Sequence, residues 1–381
     1  MHVKHLIIYT CGFMAILGIV FIGFSYQQDR FSSPPSLYTA SIKNTVDTTR
    51  QKNNTSLSLE QKVEQLFMVG LEGTTPQDAQ RFIEKHAVGG VILLEKNIQS
   101  AQQVQSFTQQ LQTSATQESI PPLLVGVDQE GGLVSRITFS GYEITPQSKI
   151  ISSQQAYAVA KKRGEELRAL GITMNFSPVL DVITNTQSFL YSRVFTGTPQ
   201  EISERGASFV KGYADGGIQA CPKHFPGHGD AIDDPHIFDS TNNQNAEEIQ
   251  KNAQSFMGAI SQNTPCIMLD HTTYRNIDTD PASKSSIIIT NWLRNSFHFD
   301  GIIITDDMEM VAAQNHQTLG EAALASLQAG ADMVLISGYT TSLQEREAAL
   351  TYVINQIKNG ALTQEQLDKK IERILKIKNG L

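Results

Sequence analysis

Eight short apolar runs, most of them rich in β-branched residues, recur along this chain, and each is followed by a polar or glycine-containing stretch. They lie at 66–69, 90–94, 123–127, 174–179, 218–221, 266–269, 301–305 and 333–336. Runs that are apolar throughout, rather than alternating, describe strands buried on both faces, as in a parallel sheet covered by helices. Helical periodicity falls between them at 154–170, 199–214, 246–260 and 319–329. This alternation predicts an α/β fold, either a (β/α)8 TIM-type barrel or an open doubly wound sheet.

The reactive side chains separate the two. Asp128 to Gly132 follow the third run, Asp181 the fourth, Lys223-His224 the fifth, Asp270-His271 the sixth and Asp306-Asp307 the seventh. An open sheet gathers its ligand groups at one switch point, whereas a barrel mouth collects them from many strand tips. The barrel is the expected fold. No Gly-x-Gly-x-x-Gly or P-loop pattern occurs, so no nucleotide cofactor is expected. A last helical pattern at 364–378, with apolar Leu367, Ile371, Ile374, Leu375 and Ile377, is expected to pack on the barrel exterior.

Ahead of the first run the character of the chain changes twice. Residues 6–24 are nineteen positions without a formal charge, preceded by Lys4, which is long enough to cross a bilayer as a helix. Gly23-Phe24-Ser25 is a poor cleavage site, so residues 1–26 are read as an uncleaved membrane anchor, with a cleaved signal as the alternative. Tyr9 and Thr10 stand before Cys11 where a lipoprotein would have small residues. Residues 27–58, rich in Ser, Thr, Asn and Gln, are read as a flexible tether, and 59–381 as the barrel. Lys4 is expected inside and the barrel outside the membrane. With 30 Lys and Arg against 38 Asp and Glu and no basic run, nucleic acid is not an expected partner. Cys221 and Cys266 are not in a Cys-x-x-Cys pair and are expected to be separate buried thiols.

Most of the chemistry is concentrated at 223–236, where three His, three Asp and a Lys share a loop containing Gly and Pro. One reading is a metal site, since His224 and His228 are four apart; with Pro226 and Gly227 between them, that spacing is not the helix face a metalloprotease uses. The other is acid/base work. Pro235 pushes Asp234 towards extended geometry, in which Asp234 and His236 point the same way, and a carboxylate beside an imidazole favours and orients its protonated form. A solvated dyad without function is the third. At 306–307 two carboxylates end a strand, and because successive residues face opposite sides, only one can point to the barrel axis. That one is a nucleophile candidate unless it is simply a helix cap.

These motifs together resemble a known family. The chain from about Leu59 to Lys378 is similar to the catalytic barrel of glycoside hydrolase family 3, and within it to bacterial β-N-acetylglucosaminidases that act on peptidoglycan fragments. The matching stretches are VDQEGG at Val127, NFSPVLDV at Asn175, KHFPGHG at Lys223 with Asp234 and His236 in register, ITDDMEM at Ile304 and AGADMVL at Ala329. The resemblance implies Asp306 as nucleophile and His236 as general acid/base assisted by Asp234. It also implies that Asp128, Arg136, Arg193, Lys223 and His224 hold the sugar. Leu133 and Pro235 replace the family's usual Arg and Ser, and SRVFTG at Ser192 is a loose form of its motif. The implied activity is retaining hydrolysis of terminal N-acetylglucosamine from cell-wall saccharides by a monomer needing no metal or cofactor. A family 3 enzyme of other specificity, a phosphorylase and a glycan-binding barrel without activity are the alternatives.

Overall fold

The computed structural model describes residues 57–229 and 239–381. The anchor segment, most of the tether, and both Asp234 and His236 lie outside the described residues. Among the described residues no helix is long and apolar enough to cross a membrane.

The expected strands form one parallel sheet: β1 Phe67–Gly70, β2 Gly90–Leu93, β3 Leu124–Val127, β4 Met174–Asn175, β5 Gln219–Ala220, β6 Cys266–Leu269, β7 Ile302–Asp307 and β8 Met333–Ile336. Their order is 5-4-3-2-1-8-7-6, so each strand lies beside its neighbours in sequence and β1 also pairs with β8. Between β5 and β6 the regular ladder gives way to individual bonds. Met268 N donates to Pro222 O at 2.9 Å, Phe225 N to Met268 O at 2.8 Å and Asp270 N to Phe225 O at 2.8 Å. The sheet is thus a nearly closed barrel, with every strand's C-terminal end on one face. The fourth strand is shorter than its apolar run, because after Asn175 the chain leaves the ladder and its backbone pairs with β5's continuation through an isolated bridge from Val179 to Lys223.

Cys221 and Cys266 span this same seam as a disulfide, with Cα atoms 4.6 Å apart. The expectation of two separate thiols is corrected. They are 45 residues apart in sequence, and only the neighbouring of β5 and β6 across the ring brings them together.

Helix starts follow from local chemistry. Ser58, Thr75, Thr198, Thr318, Ser342 and Thr363 each accept from the amide three residues on, and the Gln, Asp or Glu there returns a side-chain bond to the cap amide. This reciprocal arrangement satisfies two otherwise orphaned donors per helix. Ser58 therefore belongs to the fold rather than to the tether. The helical pattern at 246–260 is broken into Ala246–Ala253 and Met257–Ser261. There Gly258 comes so close to the Ser203 backbone that a Cβ would collide with its carbonyl.

The last helix, Gln364–Lys378, covers the end of the barrel opposite the mouth. Lys370 Nζ donates to Ala331 O and Lys378 Nζ to Gln65 Oε1, each at 2.6 Å, just ahead of β8 and β1. Leu367, Ile371, Ile374 and Leu375 are buried with it, whereas Ile377 is only partly covered.

Lys378 has only 2% of its surface exposed, and burial draws its ammonium from 10.5 down to about 7. Between those values the unfolded chain binds more protons than the folded one, so stability should rise with pH from about 7 towards 10.5. Lys378→Met should remove the Lys378 part of that rise, leaving a shallower one from Lys370, which burial draws down to about 8, and a pH-independent offset from the Gln65 oxygen it strands. Urea denaturation at several pH values compares the two slopes, and parallel slopes would refute the assignment.

Candidate active site

Strand tips from β3, β4, β5 and β7 deliver the charged groups, and most of them are linked through Glu130. Glu130 has 1% of its surface exposed. Arg193, on the connection after β4, meets it as a fork, with Nε to Oε2 at 2.9 Å and Nη2 to Oε1 at 2.8 Å. Lys223, just beyond β5, lies 2.7 Å from Glu130 and 2.6 Å from Asp128 Oδ1. Burial works against the charges of Glu130, Arg193 and Lys223. The paired arginine and lysine nevertheless hold the Glu130 carboxyl far below its usual range, and Asp128 and Glu130 hold Lys223 above its own.

His224, next in sequence, turns to Asp181 beyond β4, with Nδ1 2.8 Å from Asp181 Oδ2. A carboxylate accepts, so Nδ1 carries a proton, and Nε2 is directed at Asp306 Oδ2, 3.6 Å away. His228 sits elsewhere: its amide donates to Asp181 Oδ1 at 2.6 Å, and its Nδ1 lies 2.9 Å from Thr272 Oγ1 and 3.3 Å from Asp270 Oδ2. The two imidazoles thus face different carboxylates. Among the described residues no group of three His, Cys, Asp or Glu is arranged to hold a metal ion.

The pairing of β7 with β8 is irregular between Ile304 and Asp307, and at this tip the adjacent carboxylates separate. Asp306 lies towards His224 and lines a cavity of about 430 Å³ together with Asp128 and Arg136. Asp307 borders the same cavity, but its carboxyl is bonded to the residue just after β8, accepting from the Ser337 amide at 3.1 Å and from the Ser337 hydroxyl. Burial, reinforced by Glu309, pushes the Asp307 carboxyl up to about 7. Ile92, Leu94, Met310 and Leu335 give the cavity an apolar wall, and Tyr339 forms an exposed rim.

Of the sequence-predicted groups, Asp128, Lys223, His224 and Asp306 therefore converge at the mouth. Arg193 reaches it through Glu130, and Arg136 lines the cavity while its guanidinium pairs with Glu95. Asp234 and His236 lie outside the described residues. The chain on one side of them, at His228, is tied to Asp181 beyond β4, and on the other side Ser240 accepts from Thr273 N at 2.9 Å beyond β6.

Sequence reasoning assigned no role to Glu130, Ser337, Glu309 or Tyr339. Glu130 had a usable signal, since it stands two residues from Asp128 on the same post-strand segment; the others become visible only through the pairing of β7 with β8.

Residues 58–377 match the glycosyl hydrolase family 3 N-terminal domain. A β-hexosaminidase of Nitrosomonas eutropha is 33% identical over 308 residues, covering 78% of this chain and 87% of the relative. Among solved structures, a family 3 β-N-acetylglucosaminidase from Paenibacillus sp. is 33% identical with a TM-score of 0.81. That match covers 85% of this chain but 63% of the larger Paenibacillus chain. A β-N-acetylhexosaminidase from Beutenbergia cavernae is 27% identical with a TM-score of 0.76, covering 85% and 99%.

Glu130→Gln removes the charge that two buried cations share. Breaking a buried pair from one side costs about 3–5 kcal/mol, and a loss of that size is expected in urea denaturation. A change below about 1 kcal/mol would mean that water screens the cluster.

Proposed function

The chain belongs to glycosyl hydrolase family 3, and from that premise we propose that it is a retaining exo-β-N-acetylglucosaminidase. Its substrates are the non-reducing terminal N-acetylglucosamine residues of peptidoglycan-derived fragments. The observation that carries the reading is Asp306, a strand-tip carboxylate lining a cavity shared with Asp128 and Arg136, with His224 directed at it. That site sits on a barrel similar to β-hexosaminidases over most of its length.

In the proposed reaction Asp306 attacks the anomeric carbon while His236, paired with Asp234, gives its proton to the departing glycosidic oxygen. The products are a glycosyl ester on Asp306 and a neutral imidazole. Water, deprotonated by that imidazole, then attacks the same carbon and restores both groups, so the anomeric configuration is retained overall. Asp128, Lys223, Arg136 and His224 hold sugar hydroxyls, and Arg193 fixes the cluster through Glu130. The chemistry requires no metal or cofactor.

Residues 1–26 are proposed to anchor the protein in the membrane, with 27–58 as tether and the barrel outside the cytoplasm. The Cys221–Cys266 disulfide supports an oxidising location. If this is right, both cysteines will resist maleimide labelling in cells lysed directly into denaturant, which exposes these buried positions, until a reductant is added. Immediate labelling of both would place the barrel in a reducing compartment.

Asp306→Asn should lower turnover by on the order of a thousandfold or more and abolish the covalent adduct with a fluorinated aryl glycoside. His236→Ala should cost natural disaccharides more than activated aryl glycosides, which need little proton donation. An adduct that survives Asp306→Asn, or equal losses on both substrate types after His236→Ala, would contradict the respective assignment.

A further inference from the structure

Resting on the glycosidase reading of Asp306, we infer that the adjacent Asp307 is a positioning residue. Its side chain, clamped between β8 and the chain after β7, fixes the backbone amide that orients Asp306 for attack.

The Asp307 amide donates to Asp306 Oδ1 at 2.7 Å. The rest of the residue is held from three directions. Its carbonyl lies 3.1 Å from His271 Nε2, and His271 Nδ1 lies 2.7 Å from Ser283 Oγ. Burial lowers the His271 pKa, and since a carbonyl only accepts, Nε2 is the protonated nitrogen and donates. The Asp307 carboxyl accepts from two amides at Oδ1, those of Ser337 and Glu309, each at 3.1 Å. Glu309 in turn binds the amides of Gly338 at 2.8 Å and Thr340 at 2.7 Å, and the hydroxyls of Thr340 and Thr341. The tip of β7 and the segment 337–341 that carries Tyr339 are thereby one unit. Gly70 on β1 makes room for it, because a Cβ there would collide with the Ser337 carbonyl.

The two carboxyl oxygens of Asp307 are unlike. Oδ1 accepts two amides, whereas Oδ2 meets the Ser337 hydroxyl, which donates to the carboxylate and can turn to accept from the acid, so Oδ2 is the atom suited to carry an acid proton. The charged and titratable groups around it are Asp306 on its own strand, Glu309 beyond it and His271 from β6, with Asp128 and Arg136 on the cavity they share. β8 contributes the uncharged Ser337. Burial and the Glu309 anion push the carboxyl up to about 7, against the bonds from Ser337 and the Glu309 amide, which favour the carboxylate. Losing the proton sets a second buried anion against Glu309 and beside Asp306.

The test is the rate at which a fluorinated aryl glycoside with a good leaving group labels Asp306, read by intact mass from about pH 5.5 to 8.5. A good leaving group removes the need for proton donation, so this rate isolates the attack. For the unsubstituted protein it should fall as pH rises through about 7. Asp307→Asn presents an oxygen to the two amides and an NH₂ to Ser337 at every pH. It should keep the acid-side rate within about threefold and lose the fall, whereas Asp307→Ala should be slower by on the order of tenfold to a hundredfold throughout. Ser337→Ala, whose folding is checked by Tm, should fall between them. An undiminished pH fall in Asp307→Asn, or an unslowed Asp307→Ala, overturns the inference. Absence of any adduct in the unsubstituted protein overturns the glycosidase reading itself, and this inference with it.

Discussion

Glu130 is a carboxylate carried almost completely out of water, and an unpaired charge in that position costs more than a domain's whole net stability supplies. Its partners come from two different connections, Arg193 after β4 and Lys223 after β5. The charge can be balanced only when both connections close over the tip of β3, so the electrostatic demand of one side chain brings the mouth together. Lys223 is shared with Asp128, which fixes Asp128 as well. Lys223 also sets where the next residue lies, and His224 is steadied from its far side by Asp181. A charge that touches no substrate in the proposed reaction thereby determines where the sugar-facing groups stand.

Much of the fold was legible because the determining signals are local. An apolar run of four or five residues means a strand buried on both faces, and Ser or Thr followed three residues later by Glu, Gln or Asp means a helix start. Thr198 and Glu201, Thr318 and Glu321, and Thr363 and Gln366 begin helices where periodicity placed them. The mouth was legible for a related reason, since any reactive residue just after such a run lands on the same face. Contacts that depend on which strands close the ring were not legible. Cys221 and Cys266 meet only because β5 and β6 are neighbours across the seam, and Asp307 meets Ser337 only because β7 lies against β8.

The seam itself is weaker than the rest of the barrel. Elsewhere adjacent strands share a ladder of paired residues, as β2 and β3 do over Gly90–Leu93 and Leu124–Val127. Between β5 and β6 only scattered bonds remain, because Lys223 and His224 leave the strand direction to serve Asp128 and Asp181. Function and sheet closure compete for the same few residues there. A covalent link just below the competing stretch, from Cys221 to Cys266, limits how far the two strands can part without placing any constraint on the side chains above.

The composition of the mouth also bears on the choice of proton donor. Among the described residues there, the carboxylates Asp128, Glu130, Asp181, Asp306 and Glu309 outnumber the cations Arg136, Arg193 and Lys223. Attack by Asp306 converts one anion into a neutral ester. A carboxylic acid giving up its proton in the same step would create a new anion among those already present. An imidazolium that donates leaves a neutral ring, so the covalent state formed with His236 would carry one anion and one cation fewer than the state before it. Anions nearby also keep an imidazole protonated before donation. In so anionic a mouth, a histidine would be held in its donating form near neutral pH, which is the advantage proposed for His236 over a second carboxyl group.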